Sequence, residues 1–285
     1  MSTQAADGTW GAIKGLVSSA AIEFIPLKGA EEKLQAVPIS TRLTITCSVK
    51  LGLDRTVEHA AKAARSGYRV VPHLAARQVA NKAELSDILG RLRDAGVRDI
   101  FVIGGDAQEQ AGSFSSAADL LESLAGIDHE LETIGVGCYP EGHPKISDEC
   151  LLEALLAKQP FANYMVSQLC FDPGAMVAWL EKMRSAGITL PLHVGLAAPM
   201  QVHKLVELSL RIGVGTSVRY LTKQHGLVGS LIRGGSYRPE DILVDMGASL
   251  VSTEMAVEGL HVFSFNQIAQ TLEWQERVAA TGHRR

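Results

Sequence analysis

The sequence predicts an α/β fold, a (β/α)8 barrel with extra helices between strands seven and eight. Two observations predict it. Short apolar and β-branched runs alternate with amphipathic helical stretches along most of the chain. A polar or small residue ends each of seven such runs, at Glu23, Thr46, His73, Asp106, Tyr139, Gln168 and Gly195, spaced by about one βα unit. Seven units of this kind imply a closed barrel. With 285 residues and no internal repeat, low-complexity tract or flexible linker, residues 1–285 are expected to form a single barrel domain.

Taken in order, the elements begin with a helix-compatible stretch from Thr9 to Ser19, expected to pack across one end of the domain. Ala20 to Ile25 reads as the first strand, stopped by Pro26. Leu43 to Val49 is the second, and an amphipathic helix from Asp54 to Ser66 follows it. Tyr68 to Val71 gives a third strand stopped by Pro72-His73. Asn81 caps the next helix, which ends at Gly96. Asp99 to Ile103 is a fourth strand, and a helix from Ser116 to Leu124 leads to the fifth, Glu132 to Val136. That strand spills into the proline-bounded loop Gly137-Cys138-Tyr139-Pro140-Glu141-Gly142-His143-Pro144. A helix from Ser147 to Lys158, a strand from Asn163 to Ser167, and a helix opened by Pro173 and closed at Gly187 come next. Leu190 to Gly195 is the seventh strand. Met200 to Gly259 reads mainly as amphipathic helix, broken near Gly213-Val214-Gly215 and Gly234-Gly235. Leu260 to Phe265 then supplies the eighth strand, with Asn266 to Glu276 as its closing helix and a disordered tail after Thr281.

Composition excludes several roles. With 27 basic and 31 acidic residues the formal charge is -4, and no basic cluster marks a nucleic-acid surface. Neither a signal-peptide pattern nor a membrane-length apolar run occurs, so a soluble, cytoplasmic protein is expected. Cys47, Cys138, Cys150 and Cys170 lack C-x-x-C spacing and are expected to be reduced; Cys47, Cys138 and Cys170, near strand ends, are expected to line the barrel mouth as small apolar residues, with reactive thiols the competing account. Apolar helix faces are compatible with a homo-oligomer.

The strand ends carry the chemistry. Glu23 sits in an apolar strand, which destabilises its charged form and suits a general acid; pairing with a barrel Arg or Lys is the competing account. Asp106 follows two glycines that allow close approach of another molecule, and it could equally cap a turn. His73 and His143, each beside a proline, face the mouth or are satisfied by backbone. With Glu23, Asp106 and His193 they could also ligate a metal, although no H-x-H, H-x-x-x-H or H-E-x-x-H pattern supports one, and no metal is expected. Phosphate-loop and dinucleotide fingerprints are absent. A phosphate-bearing cofactor lying across barrel loops near Lys158 remains compatible.

Set in order, these residues resemble the methylenetetrahydrofolate reductase family. The matching pieces are Glu23-Phe24 with Pro26, Thr46, Asp54-Arg55-Thr56, Pro72-His73-Leu74, Gly105-Asp106, Tyr139-Pro140-Glu141 with His143-Pro144, and Gln168 with Phe171-Asp172. The resemblance implies a flavin-bearing barrel. Its FAD would take a hydride from NADH or NADPH and pass it to 5,10-methylenetetrahydrofolate, serving one-carbon metabolism. It further implies Glu23 as the general acid that helps open the folate's five-membered ring, Asp106 beside flavin and pterin, and Gln168 on the folate. Thr46, His73, Gly105, Tyr139 and His143 would surround the flavin, with Lys158 on its phosphates. The chain departs from the family at Gly104, where an Arg is usual, and at Ala107-Gln108, where Leu-Pro is usual. Leu196 to Val202 lacks an aromatic, and Gln267 stands in place of a folate-contacting Arg. A metal-dependent barrel hydrolase or lyase using His73, His143 and Asp106, and a flavin-free folate-binding accessory protein, are the alternatives.

Overall fold

The structure, a computed structural model, describes residues 3–211 and 236–281. Eight parallel strands close into a barrel. They are β1 Ala21–Phe24, β2 Arg42–Ile45, β3 Arg69–Ala75, β4 Asp99–Ile103, β5 Thr133–Cys138, β6 Tyr164–Ser167, β7 Leu192–Ala197 and β8 Val257–Phe263. Each strand lies beside its sequence neighbour, and β8 returns to pair with β1 through Ala21↔His261 and Ile22↔Val262. Because every strand is parallel, all the strand ends noted in the sequence emerge on one face, the usual active face of such barrels.

The helices start where local chemistry says they should. The first is α1, Thr3–Ser18, followed by α2 Leu53–Arg65, α3 Lys82–Asp94, α4 Ala117–Ala125, α5 Asp148–Lys158 and α6 Pro173–Ser185. Asn81 accepts from the backbone of Ala83 and Glu84, and Ser116 and Asp119 form a reciprocal capping box. Ser147 and Asp172 cap α5 and α6, the latter with Pro173 in its first turn. Between β7 and β8 lie α7, Val202–Arg211, and α8, Pro239–Met246, with a short ribbon pairing Met200–Gln201 to Ser236–Tyr237. The helix breaks expected at Gly213-Val214-Gly215 and Gly234-Gly235, and the tail after Thr281, lie outside the described residues. The closing helix α9 is Ile268–Ala280. It is joined to α1 by bonds from Trp10 Nε1 to the Thr281 carbonyl and from Gln275 Nε2 to the Val17 carbonyl. Buried Glu240 ties α8 to α9 by accepting from Trp274 Nε1 at 2.7 Å and from Arg277 Nη1 at 3.2 Å.

Three strands run further than their sequence suggests, β7 by two residues to Ala197. β3 does not stop at Pro72 but continues through His73 to Ala75. Pro72 is the last residue in register with β2, and His73 the first in register with β4, so the proline falls where one ladder gives way to the next. β5 likewise takes in Gly137 and Cys138, which pair with Val166 and Ser167. The consequence for β3 is that His73 lies inside the barrel rather than on a loop.

The barrel interior is polar at its amino-terminal end. Asp99, 2 % exposed, accepts from Arg42 Nη2 at 3.1 Å and from Arg69 Nε at 2.9 Å, with Thr133 bonded to the same carboxylate. Arg42 also reaches Tyr164, whose ring stacks on His193 at 4.4 Å. Gly135 makes room for this layer, since a Cβ there would lie 2.4 Å from Tyr164 Cζ. Burial pushes the Asp99 carboxyl up, but bonds from Arg69 and Thr133 and the charges of Arg42 and Arg69 outweigh it and hold the group below the ordinary carboxylate range.

Asp99→Ala strands Arg42 in the barrel and is expected to cost about 3 kcal/mol in urea unfolding. Asp54→Ala, which removes an exposed partner of Arg91, should cost only about 0.5 kcal/mol. Because the folded Asp99 carboxyl is depressed, its contribution is complete above the unfolded value near pH ~4 and fades as the pH falls through the folded value. The difference between wild type and Asp99→Ala should therefore be flat at neutral pH and shrink only in acid.

Candidate active site

Three strands contribute one buried cluster above the Asp99 layer. Glu23 of β1 and His261 of β8 are 6 % and 2 % exposed, and His261 Nε2 lies 3.2 Å from Glu23 Oε2. His73 of β3 completes the group: one ligating atom from each of the three residues lies within 4.8 Å of the others. Phe101 packs on both rings, with centroids 4.8 Å from His73 and 6.2 Å from His261, and Phe263 lies 4.8 Å from His261. Glu23 thus has an imidazole partner, not the Arg or Lys that the sequence offered as its competing account. Burial, with His261 nearby, depresses the His73 imidazole to about 3, so His73 is neutral. Its Nε2 is buried without a hydrogen-bond partner, and so are Thr44 Oγ1 and Thr46 Oγ1. Thr44 stands in register with Glu23. Buried polar atoms left without partners are uncommon, and a set of them around a carboxylate fits a polar ligand.

Above this cluster the loops form the mouth. Gly105 has φ +88 and would bring a Cβ within 3.0 Å of the Ala75 Cβ, so the turn that presents Asp106 needs glycine. Arg77 holds that turn: its Nε and Nη2 donate to the carbonyls of Ala107 and Gln108, each at 2.6 Å. Its backbone N–H reaches the Gly104 carbonyl as well. Asp106 itself is exposed, and its charge helps burial keep the Tyr139 phenol protonated, above its ordinary range. Tyr139 meets His143 edge to face at 5.4 Å. Gln168 Oε1 accepts from the Leu169 N–H, which fixes its amide at the end of β6.

Other expected residues lie elsewhere. Lys158 Nζ donates to the Gly137 carbonyl at 2.8 Å from the end of α5, and burial lowers its pKa. His193 is down in the Asp99 layer against Tyr164, depressed to about 3 by burial and the nearby charges of Arg42 and His261. Of the histidines and Asp106 considered as metal ligands, only His73 joins the three-donor group. Glu23, also a candidate, joins it as well, and the third donor is His261. All four cysteines are free, and burial pushes Cys138 up to about 12, far from a reactive thiolate. A cleft of about 440 Å3 opens to one side, between Val49–Asp54 and Ala107–Ala111, and does not reach Glu23.

Sequence reasoning missed His261, Arg77 and Asn266. His261 carried the same signal as Glu23, a titratable residue within an apolar strand. Arg77 carried none, because its partners are carbonyls about 30 residues away. Asn266, φ +59, donates to the Ile25 carbonyl and accepts from the Ile25 N–H, both at 2.8 Å, sealing β8 to β1 above the cluster. Gln267 faces Met200 Sδ at 3.9 Å.

A buried carboxylate bonded to an imidazole, open to polar atoms on one side, can hold a proton and hand it to a ligand at the mouth. Among the described residues no helix is long and apolar enough to cross a membrane. Methylenetetrahydrofolate reductase 1 of Schizosaccharomyces pombe (strain 972 / ATCC 24843) is 30 % identical over 116 residues, 38 % of this chain and 19 % of that protein. Methylenetetrahydrofolate reductase 2 of Saccharomyces cerevisiae (strain ATCC 204508 / S288c) is 25 % identical over 123 residues, 39 % of this chain and 20 % of that protein. The matched stretch is thus about a fifth of either relative. Among solved structures, a Burkholderia cenocepacia J2315 protein described as a lyase/mutase covers 95 % of this chain and 86 % of its own at 12 % identity, with a TM-score of 0.48. Another from that source, described as a phosphonomutase, covers 96 % and 100 % at 12 % identity, with a TM-score of 0.47. Neither likeness bears on function. The model of the methylenetetrahydrofolate reductase family matches residues 30–217, about two thirds of the chain and most of the barrel, and the chain belongs to that family.

Proposed function

We propose that the chain reduces 5,10-methylenetetrahydrofolate to 5-methyltetrahydrofolate, with a reduced nicotinamide as the electron source and FAD as the resident hydride carrier. The observation that carries this reading is Glu23: a buried carboxylate beside unpartnered polar atoms, in a chain of this family. Conversion of the methylene bridge to a methyl on N5 requires the bond to N10 to break. N10 then needs a proton, and Glu23 is the group to give it. Gln168, at the end of β6, would orient the pterin, and Asp106 would face the charge that develops on the opened ring.

The fit to FAD is uneven. Thr46 Oγ1 and His73 Nε2 lack partners and suit the polar edge of a flavin ring, while Gly105 lets that ring approach the backbone. Tyr139 and His143 offer an aromatic wall. The phosphate end is less well served, since Lys158 is buried between α5 and β5 with its ammonium on a backbone carbonyl. Bound flavin would supply two-electron transfer between nicotinamide and folate. The protein's own contributions are the proton at Glu23, the orientation of the pterin and the apolar walls of Phe101 and Phe263.

A second reading has one observation in its favour, the three-donor group of Glu23, His73 and His261. Two histidines and a carboxylate could bind a divalent metal for hydrolytic or lyase chemistry. Metal analysis of the purified protein separates the two.

Freshly purified protein should show a flavin absorption spectrum that bleaches on anaerobic addition of NADH or NADPH. Absence of flavin after FAD has been added would sink the FAD assignment. Glu23→Gln should leave bleaching intact and lower methylenetetrahydrofolate turnover by at least ~100-fold. Undiminished turnover in that variant would remove Glu23 as the acid.

A further inference from the structure

Asp106 is carried by residues 104–114, a stretch between β4 and α4 with neither helix nor strand. It holds Gly104, Gly105 and Gly112 and no proline, so its own backbone does little to restrict it. Among the described residues, the hydrogen bonds that do restrict it all involve one residue, Arg77. The side chain donates from Nε to the Ala107 carbonyl and from Nη2 to the Gln108 carbonyl, each at 2.6 Å. The Arg77 N–H donates to the Gly104 carbonyl at 3.0 Å, and the Arg77 carbonyl accepts from the Ala111 N–H at 2.9 Å. The bonds at Gly104 and Ala107 bracket Asp106 on both sides.

Arg77 can hold a turn because its own backbone is fixed. It sits in one short helical turn, Ala76–Gln78, directly after β3, and Ala75, Ala76 and Val79 around it are fully buried. The Gly112 backbone lies against the chain just beyond: a Cβ there would be 1.6 Å from the Ala80 carbonyl oxygen, so the contact needs glycine. Asp54, Glu84 and Glu109 line the cleft beside Arg77, yet the guanidinium's hydrogen bonds go to carbonyls. A planar guanidinium that donates to two successive carbonyls fixes the direction of the peptide planes that follow Asp106.

We propose that Arg77 is the positioning residue for Asp106: it holds the turn so that the carboxylate faces the charge that develops on the opened ring. This rests on the folate-reductase reading of Asp106. Arg77 acts through the backbone on either side of the carboxylate, because its guanidinium is spent on carbonyls. A charged group stabilises a transition state best when its distance and direction are set beforehand, with no reorientation as the reaction proceeds. A displacement of about 1 Å can cost about 100-fold in rate. Without the bonds from Arg77, the glycines on either side would let the exposed Asp106 carboxylate turn toward solvent.

The test uses Arg77→Met, which keeps the stem and removes both side-chain donors. It should lower kcat about tenfold with the folate KM changed less than about twofold. Combined with Asp106→Asn it should lower kcat by less than about twofold beyond Asp106→Asn alone, because the carboxylate it positions is already gone. Additive losses in the double variant would overturn the proposal. Hydrogen exchange provides a readout that needs no turnover: in Arg77→Met the amides of residues 105–113 should exchange at least about tenfold faster than in the wild type, with those of β4 and α3 unchanged. Unchanged exchange over residues 105–113 would overturn the proposal, and so would faster exchange spread across the barrel, which would make Arg77 a support of the whole fold. If Arg77→Met does not fold, Arg77→Lys, which offers one ammonium to two carbonyls, takes its place in both comparisons, with the same pattern expected at smaller size. Undiminished kcat in Asp106→Asn would remove Asp106 from the reaction and this role with it. Should the wild type fail to reduce methylenetetrahydrofolate, the folate reading falls, and with it the role in turnover. The exchange rates would still decide whether Arg77 holds the turn.

Discussion

A closed eight-stranded barrel has an interior just wide enough for side chains, and a charge placed there must find its partner among residues from other strands. Much of this structure follows from that constraint. Asp99 draws Arg42 from β2, Arg69 from β3 and Thr133 from β5 into one layer, so a single carboxylate links four strands. One layer nearer the mouth, Glu23 draws on β8 through His261. Both pairings cross between segments far apart in sequence, and that of Glu23 depends on closure: β1 meets β8 only because the sheet returns on itself.

The two layers nevertheless do different work. In the Asp99 layer the carboxylate is bonded by Arg42, Arg69 and Thr133, with Tyr164 stacked on His193 beside it. Its guanidinium groups satisfy the carboxylate in a fixed geometry and leave no proton to exchange. The Glu23 layer has fewer partners, with Thr44, Thr46 and His73 holding polar atoms in reserve. A barrel that satisfied both ends equally well would be stable and inert. Here Thr44, Thr46 and His73 keep unsatisfied atoms at the end from which a ligand can enter.

The sequence made the architecture legible because each strand carries its own local signal. Apolar β-branched runs, capping residues such as Asn81 and Ser116, and helix-closing glycines act over a few residues, and the element order followed from them. The ends of β3 and β5 were misjudged for the same reason. Pro72 is a local stop signal, but the barrel staggers its ladders so that the proline's missing donor falls at a handover between neighbours. In the site, Glu23 was readable as a carboxylate in an apolar strand, and Asp106 as an acid after glycines. Its partner was not readable, because nothing near Glu23 in sequence names a histidine 238 residues away. His193 was offered as a metal-site candidate on its type alone, yet stacking on Tyr164 accounts for it.

Where the chain departs from its family, local bonding has taken over part of the lost support. At Gly104, where the resembled family usually has an arginine, the following turn is held by Arg77 from the end of β3, which donates to the carbonyls of Ala107 and Gln108. That arginine spends its charge on carbonyl oxygens, so it shapes the loop bearing Asp106 without placing a free cation at the mouth. At the other closure point Asn266 is kept and fully used on Ile25, while Gln267 turns to Met200. Among the described residues, Asp106 is exposed near the buried Glu23, while Arg77 and Lys158 are both engaged by backbone carbonyls. Under the proposed function, the residues assigned to the proton are present, and the departures from the resembled pattern fall at Gly104, Ala107-Gln108 and Gln267.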